Sequence, residues 1–81
     1  MHSKDVKAIL NRIPHGTTLT ISQIQALVKA SFPLSAVDWA IHTKTRPTNY
    51  RRWLHRIQGV LSEYKRKGIV KHNSIMHSYT F

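Results

Sequence analysis

The chain has no cysteine among its 81 residues, which excludes disulfide staples, thiolate-bound zinc and thiol catalysis and suits a reducing compartment. Acid is almost as scarce. Asp5, Asp38 and Glu63 stand against 13 lysines and arginines, a formal charge of +10. No apolar run approaches the roughly 20 residues of a membrane helix. The opening Met1-His2-Ser3-Lys4-Asp5 has no uncharged stretch like the centre of a signal peptide. These features predict no membrane partner and a cytoplasmic, nucleoid-associated location. A chain this short buries only about 60% of its extended surface on folding, so one domain over residues 1–81 is expected, with one small core. The apolar share of 41% is spread along the chain, so the high charge does not by itself argue for disorder.

Val6, Ile9, Leu10 and Ile13 keep helical spacing and predict a helix over residues 3–13, stopped by Pro14 and Gly16. Residues 17–21 are β-branched and alternate, as in a short strand. Thr20-Ile21-Ser22-Gln23 fits a capping box for a second helix reaching about Ser31, with Ile24, Leu27 and Val28 on its apolar face. Phe32-Pro33-Leu34 breaks that helix, and Ser35-Ala36-Val37-Asp38 is another capping box, for a short helix. A basic, threonine-rich loop leads to Thr48 or Asn49 as the next cap. Tyr50, Trp53, Leu54, Ile57, Val60, Leu61 and Tyr64 hold phase for a long helix over residues 49–67, with Gly68 at C′. Residues 69–72 and 75–81 then read as two strands flanking an Asn73-Ser74 turn.

The positive charge is concentrated. Residues 44–71 carry a net +8, and residues 1–43 only +2. On a helical wheel centred on Ile57, Arg51, Arg52, His55, Ser62 and Arg66 gather opposite the apolar set. Lys65, Arg66 and Lys67 suit a helix C-terminus, but Arg51 and Arg52 in a first turn oppose the macrodipole. A polyanion would offset that repulsion, since each cation placed on a phosphate releases a condensed counterion.

The stretch Arg56-Ile57-Gln58-Gly59-Val60-Leu61-Ser62-Glu63-Tyr64-Lys65-Arg66-Lys67-Gly68-Ile69-Val70-Lys71 is a helix ending in basic-Gly-apolar-apolar and passing directly into a strand. Together with the order helix, strand, helix, short helix, helix, strand, strand, it resembles the winged helix-turn-helix family of DNA-binding domains, as found in bacterial and phage regulators and restriction-associated proteins. The resemblance implies a mainly α fold with a small β-hairpin wing. It also implies sequence-specific binding of double-stranded DNA by a small transcriptional regulator, with helix 49–67 in the major groove and hairpin 69–81 as the wing. The chain departs from that pattern twice. About sixteen residues separate helix 2 from the recognition helix, and His72, Asn73 and Ser74 stand where many relatives place Arg or Lys.

Arg51 and Arg52 are the first candidates for base or phosphate contact, because guanidinium matches guanine O6 and N7 bidentately and grips phosphate with the same fork. His55, one turn on, could donate to phosphate or base or simply be solvated. Lys44 and Arg46 suit phosphate clamping. Asn49 could read adenine but is better explained as the cap. Arg56, Lys71 and Asn73 complete the predicted nucleic-acid-binding set. Gly59, inside the helix on the polar face, costs about 1 kcal/mol against alanine and suggests close approach of a phosphate or a kink. Trp53 belongs to the core, and Trp39 is a half-exposed residue suited to a dimer surface.

Each carboxylate has a structural explanation, in a first turn, in a capping box and in a helical ion pair, so no catalytic acid remains and no enzyme activity is expected. Six histidines form no zinc pattern, and no metal or cofactor is predicted. A homodimer would read two half-sites. Two alternatives stay open: a structural, ribosome-associated RNA-binding winged helix, and a protein-interaction module.

Overall fold

The computed structural model describes residues 1–40 and 51–81. In chain order the elements are α1 (Ser3–Leu10), β1 (Thr18–Thr20), α2 (Ile21–Ser31), α3 (Ala36–Trp39), α4 (Arg52–Arg66), β2 (Lys71–Asn73) and β3 (Ser78–Thr80). The result is a small, mostly helical domain with one three-stranded antiparallel sheet.

The apolar stripes read from the sequence meet in one core. Val6, Ile9 and Leu10 of α1, Ile24 and Val28 of α2, and Trp53, Ile57, Val60, Leu61 and Tyr64 of α4 are all buried, with Val70 and Tyr79 closing the sheet end. Removing this apolar surface from water is the main favourable term in folding so short a chain. The α1–α4 contact is also pinned by a polar bond, Tyr64 Oη donating to Asn11 Oδ1 at 2.8 Å.

α1 ends at Leu10, short of the expected residue 13. Arg12 and Ile13 donate to the carbonyls of Ile9 and Leu10 across three residues, at 3.2 and 3.1 Å. The helix therefore tightens into a turn before Pro14, whose ring disfavours helical geometry at the residue ahead of it. Both capping boxes form. Gln23 N–H donates to Thr20 Oγ1 at 3.2 Å while Thr20 N–H donates to Gln23 Oε1 at 2.9 Å. Asp38 N–H donates to Ser35 Oγ at 3.3 Å and Ser35 N–H to Asp38 Oδ2 at 2.9 Å.

α4 begins at Arg52, three residues later than residue 49. The expected caps Thr48 and Asn49 lie outside the described residues, and the N-cap position belongs to Arg51, in extended backbone and with no side-chain cap bond. Contacts with the end of α3 set this boundary: Arg52 N–H donates to the Ala40 carbonyl at 2.9 Å, and Arg51 Nη1 to the Trp39 carbonyl at 3.0 Å. At the other end Gly68, at φ +76°, takes the left-handed position after the helix. Its N–H donates to Lys65 O at 3.1 Å and that of Ile69 to Tyr64 O at 2.8 Å, the paired bonds of a Schellman motif.

The strand order is β1-β3-β2. Thr18, Leu19 and Thr20 face Thr80, Tyr79 and Ser78, which in turn pair with Lys71, His72 and Asn73. The hairpin turn is longer than the expected Asn73-Ser74. Asn73 Oδ1 accepts from Ile75 N–H at 3.1 Å and Met76 N–H at 3.2 Å, and His77 adopts φ +50°. These bonds divert residues 75–77 from the strand into a turn over residues 74–77.

Candidate nucleic-acid interface

The three carboxylates of the chain are all engaged by the chain itself. Asp5 Oδ2 accepts from His2 N–H at 2.7 Å at the start of α1. Asp38 is buried, and its Oδ1 lies 2.8 Å from the amine of Met1. Burial pushes the Asp38 carboxyl up, but bonds from that amine and from the Ser35 backbone and hydroxyl outweigh it and hold the pKa below its ordinary value. Glu63 bonds Lys7 Nζ at 2.7 Å and Lys67 Nζ at 3.5 Å. Its pKa is lowered, first by the Lys7 bond, and that of Lys7 is raised by the same bond.

None of the three acids is therefore paired with an arginine of α4. Arg52, His55, Arg56, Gly59, Ser62 and Arg66 are exposed along its outer face, while the opposite face is buried. Among the described residues Arg52, Arg56 and Arg66 have no carboxylate within ion-pair distance. Arg52 and Arg56, one turn apart, border a hollow of about 330 Å³ shared with His2, Val37 and Asp38. Further along, Gly59, Glu63 and Arg66 border a second notch of about 280 Å³ against Ser3 and Lys7 of α1, where Glu63 is engaged by Lys7. A Cβ built on Gly59 meets nothing within 4 Å, so no neighbour inside the protein requires glycine there. The first turn of α4 contains no acid, which leaves its positive dipole end and Arg52 pointing the same sign outward.

The sequence-predicted site divides unevenly. Arg52, His55 and Arg56 lie together on the outer face of α4. Arg51 does not: it precedes the helix, is half-buried, and spends one guanidinium nitrogen on the Trp39 carbonyl. Its expected place opposite the buried stripe was a consequence of starting the helix too early. Lys71 is exposed at the start of β2, and Asn73 is exposed at its end, but the Asn73 side-chain oxygen is occupied by the two turn N–H groups. Lys44, Arg46 and Asn49 lie outside the described residues.

Residues 75 and 76 were missed as surface features, because a strand pattern over residues 75–81 hid them. Ile75 is 87% exposed and Met76 64% at the hairpin tip. His72 stacks on Tyr79 with ring centroids 4.6 Å apart, a structural use of that histidine. Trp39, 40% exposed, packs edge-on against Trp53 at 5.4 Å under the Lys29 ammonium. Among the described residues no three His, Asp or Glu side chains are grouped to hold a metal ion, and no helix is long and apolar enough to cross a membrane. Comparison with protein-family models, curated proteins and solved structures gives no match.

Proposed function

We propose that this chain is a winged-helix domain that binds double-stranded DNA as a small transcriptional regulator, laying α4 in the major groove with the β2–β3 hairpin as its wing. One observation carries this reading. The outer face of α4 presents Arg52, Arg56 and Arg66 with no carboxylate in ion-pair reach among the described residues, while all three acids of the chain, Glu63 of α4 included, are engaged by other groups. A solvated face normally mixes both signs, whereas the first turns of α4 carry Arg52 and Arg56 and no acid, an arrangement that is repulsive at a helix N-terminus until an anion arrives. Phosphate relieves that repulsion, and guanidinium adds bidentate recognition of guanine. The element order and the β1-β3-β2 sheet support the fold half of the proposal. Lys71 at the base of the hairpin would meet the adjacent backbone. A dimer would set two such helices about 34 Å apart on a palindromic site.

The test is a titration of fluorescent duplex at fixed salt. Arg52→Ala with Arg56→Ala should lower affinity about 10- to 100-fold and leave the melting temperature unchanged, since neither side chain belongs to the core. With about five phosphates neutralised, log K against log salt should slope near −4 to −5. Unchanged affinity in the double variant rejects α4 as the contact, and a flat salt plot points to a protein partner instead. Equal affinity for the matching RNA duplex favours an RNA-binding role read through shape.

A further inference from the structure

We propose that Ile75 and Met76 form an apolar wedge that enters the DNA minor groove at the wing tip, inserts at one base step and bends the duplex. This rests on the DNA-binding reading above.

The two side chains are adjacent, 87% and 64% exposed, and at the far end of a hairpin. They are presented by a built turn. Asn73 Oδ1 holds the N–H groups of both Ile75 and Met76, so the last residue of β2 fixes the direction of the wedge. On the return side His77 sits at φ +50°, a conformation that side-chain-bearing residues seldom adopt and that the surroundings must impose. Its carbonyl accepts from Ile21 N–H at 3.0 Å, which ties the tip to the start of α2. Beneath it His72 stacks on Tyr79, and Thr18 and Thr80 share a hydroxyl bond of 2.8 Å across the sheet. The tip is thus an apolar pair on a braced support.

The charge at the base of the hairpin favours an anionic partner. From residue 64 to the end the chain has Lys65, Arg66, Lys67 and Lys71 and no aspartate or glutamate, so the hairpin grows from a cationic base toward an anionic surface. Two side chains are far too small for a protein interface, which needs about 800 Å² on each partner. They are the right size for a base step, where isoleucine and methionine are among the residues that unstack bases from the minor groove. The absence of Arg or Lys at the tip then has a reason: insertion replaces charge as the means of contact.

The whole chain is mixed with duplexes of about 30 base pairs rich in flexible TpA steps, one carrying 2-aminopurine beside a TpA step and one a donor and acceptor dye at its ends. At saturation the wild type should raise 2-aminopurine fluorescence and shorten the end-to-end distance. Ile75→Ser with Met76→Ser should still bind, with affinity about tenfold lower and an unchanged salt slope, but give neither signal. Ile75→Leu with Met76→Leu should restore both, which separates lost insertion from a damaged turn. A saturated complex in which the wild type leaves the duplex straight and the probe quenched removes the wedge alone. Equal bending by the serine variant also removes it. Loss of co-sedimentation with phosphatidylserine vesicles in the serine variant, with bending unchanged, would place the tip in a bilayer and overturn the proposal. Failure of the wild type to bind any duplex at low salt brings down the DNA-binding reading and the wedge together.

Discussion

The two faces of α4 are made from the same fifteen residues and obey different constraints. On the inner face Trp53, Ile57, Val60, Leu61 and Tyr64 are buried in the core, with α4 packed chiefly on α1 and α3. On the outer face Arg52, Arg56 and Arg66 meet no carboxylate among the described residues, and Gly59 leaves open space. One side fixes the fold, and the other is exposed to solvent.

Removing an inner residue should give the largest effect. Ile57 is fully buried midway along α4, and Ile57→Ala should cost about 3–4 kcal/mol, from lost burial plus the cavity left behind. Urea unfolding measures this directly, and for a domain of this size the loss approaches the whole of its stability. Arg56→Ala is the internal control, with no effect beyond about 0.5 kcal/mol. Comparable losses at the two positions would abolish the division between faces.

A smaller effect of opposite sign is expected at Gly59. Alanine there has room for its Cβ and should stabilise the helix by about 1 kcal/mol, raising the melting temperature by about 4–8 °C. If DNA approaches α4 over this gap, the same methyl should lower duplex affinity. A more stable variant with full affinity would show that no close contact is made at residue 59.

Local chemistry made much of this legible from the sequence. The Thr20–Gln23 and Ser35–Asp38 boxes form because each needs only residues three apart, and Gly68 lands at C′ because the helix must turn left-handed there. Helical phase alone placed Arg52, His55, Ser62 and Arg66 opposite the buried stripe, and all four are exposed. What stayed hidden depends on distant partners. Asp38 reads as a cap, yet it is buried against the Met1 amine, 37 residues away. The start of α4 is set by carbonyls of Trp39 and Ala40, which removes Arg51 from the outer face. The order β1-β3-β2 joins residues some sixty apart. At the hairpin the difference is local but chemical: Asn73 fits a central turn position by residue type, whereas its side chain closes the turn from the strand end.

The smallest effect is expected at the seam between the two faces, where Glu63 bonds Lys7 of α1 and Lys67 of its own helix. The Lys7 bond is the main cause that lowers the Glu63 pKa from its ordinary 4.5. Glu63 therefore contributes stability that is fully present above that value and lost as pH falls through the lowered one. Lys7 is raised from 10.5, chiefly by the same bond, so its share is present below that value and lost as pH climbs through the raised one. Glu63→Gln should lower the melting temperature slightly across the plateau between these limits, with the gap to the wild type closing in acid once pH has fallen through the lowered value and the carboxyl is protonated in both states. High salt should narrow the gap as well, because both partners are partly exposed. A gap that persists in acid would mean that Glu63 holds α1 to α4 by shape rather than charge. The substitution also takes the one acid out of α4, so at low salt duplex affinity should rise modestly while stability falls, the two faces responding in opposite directions to a single change at their border.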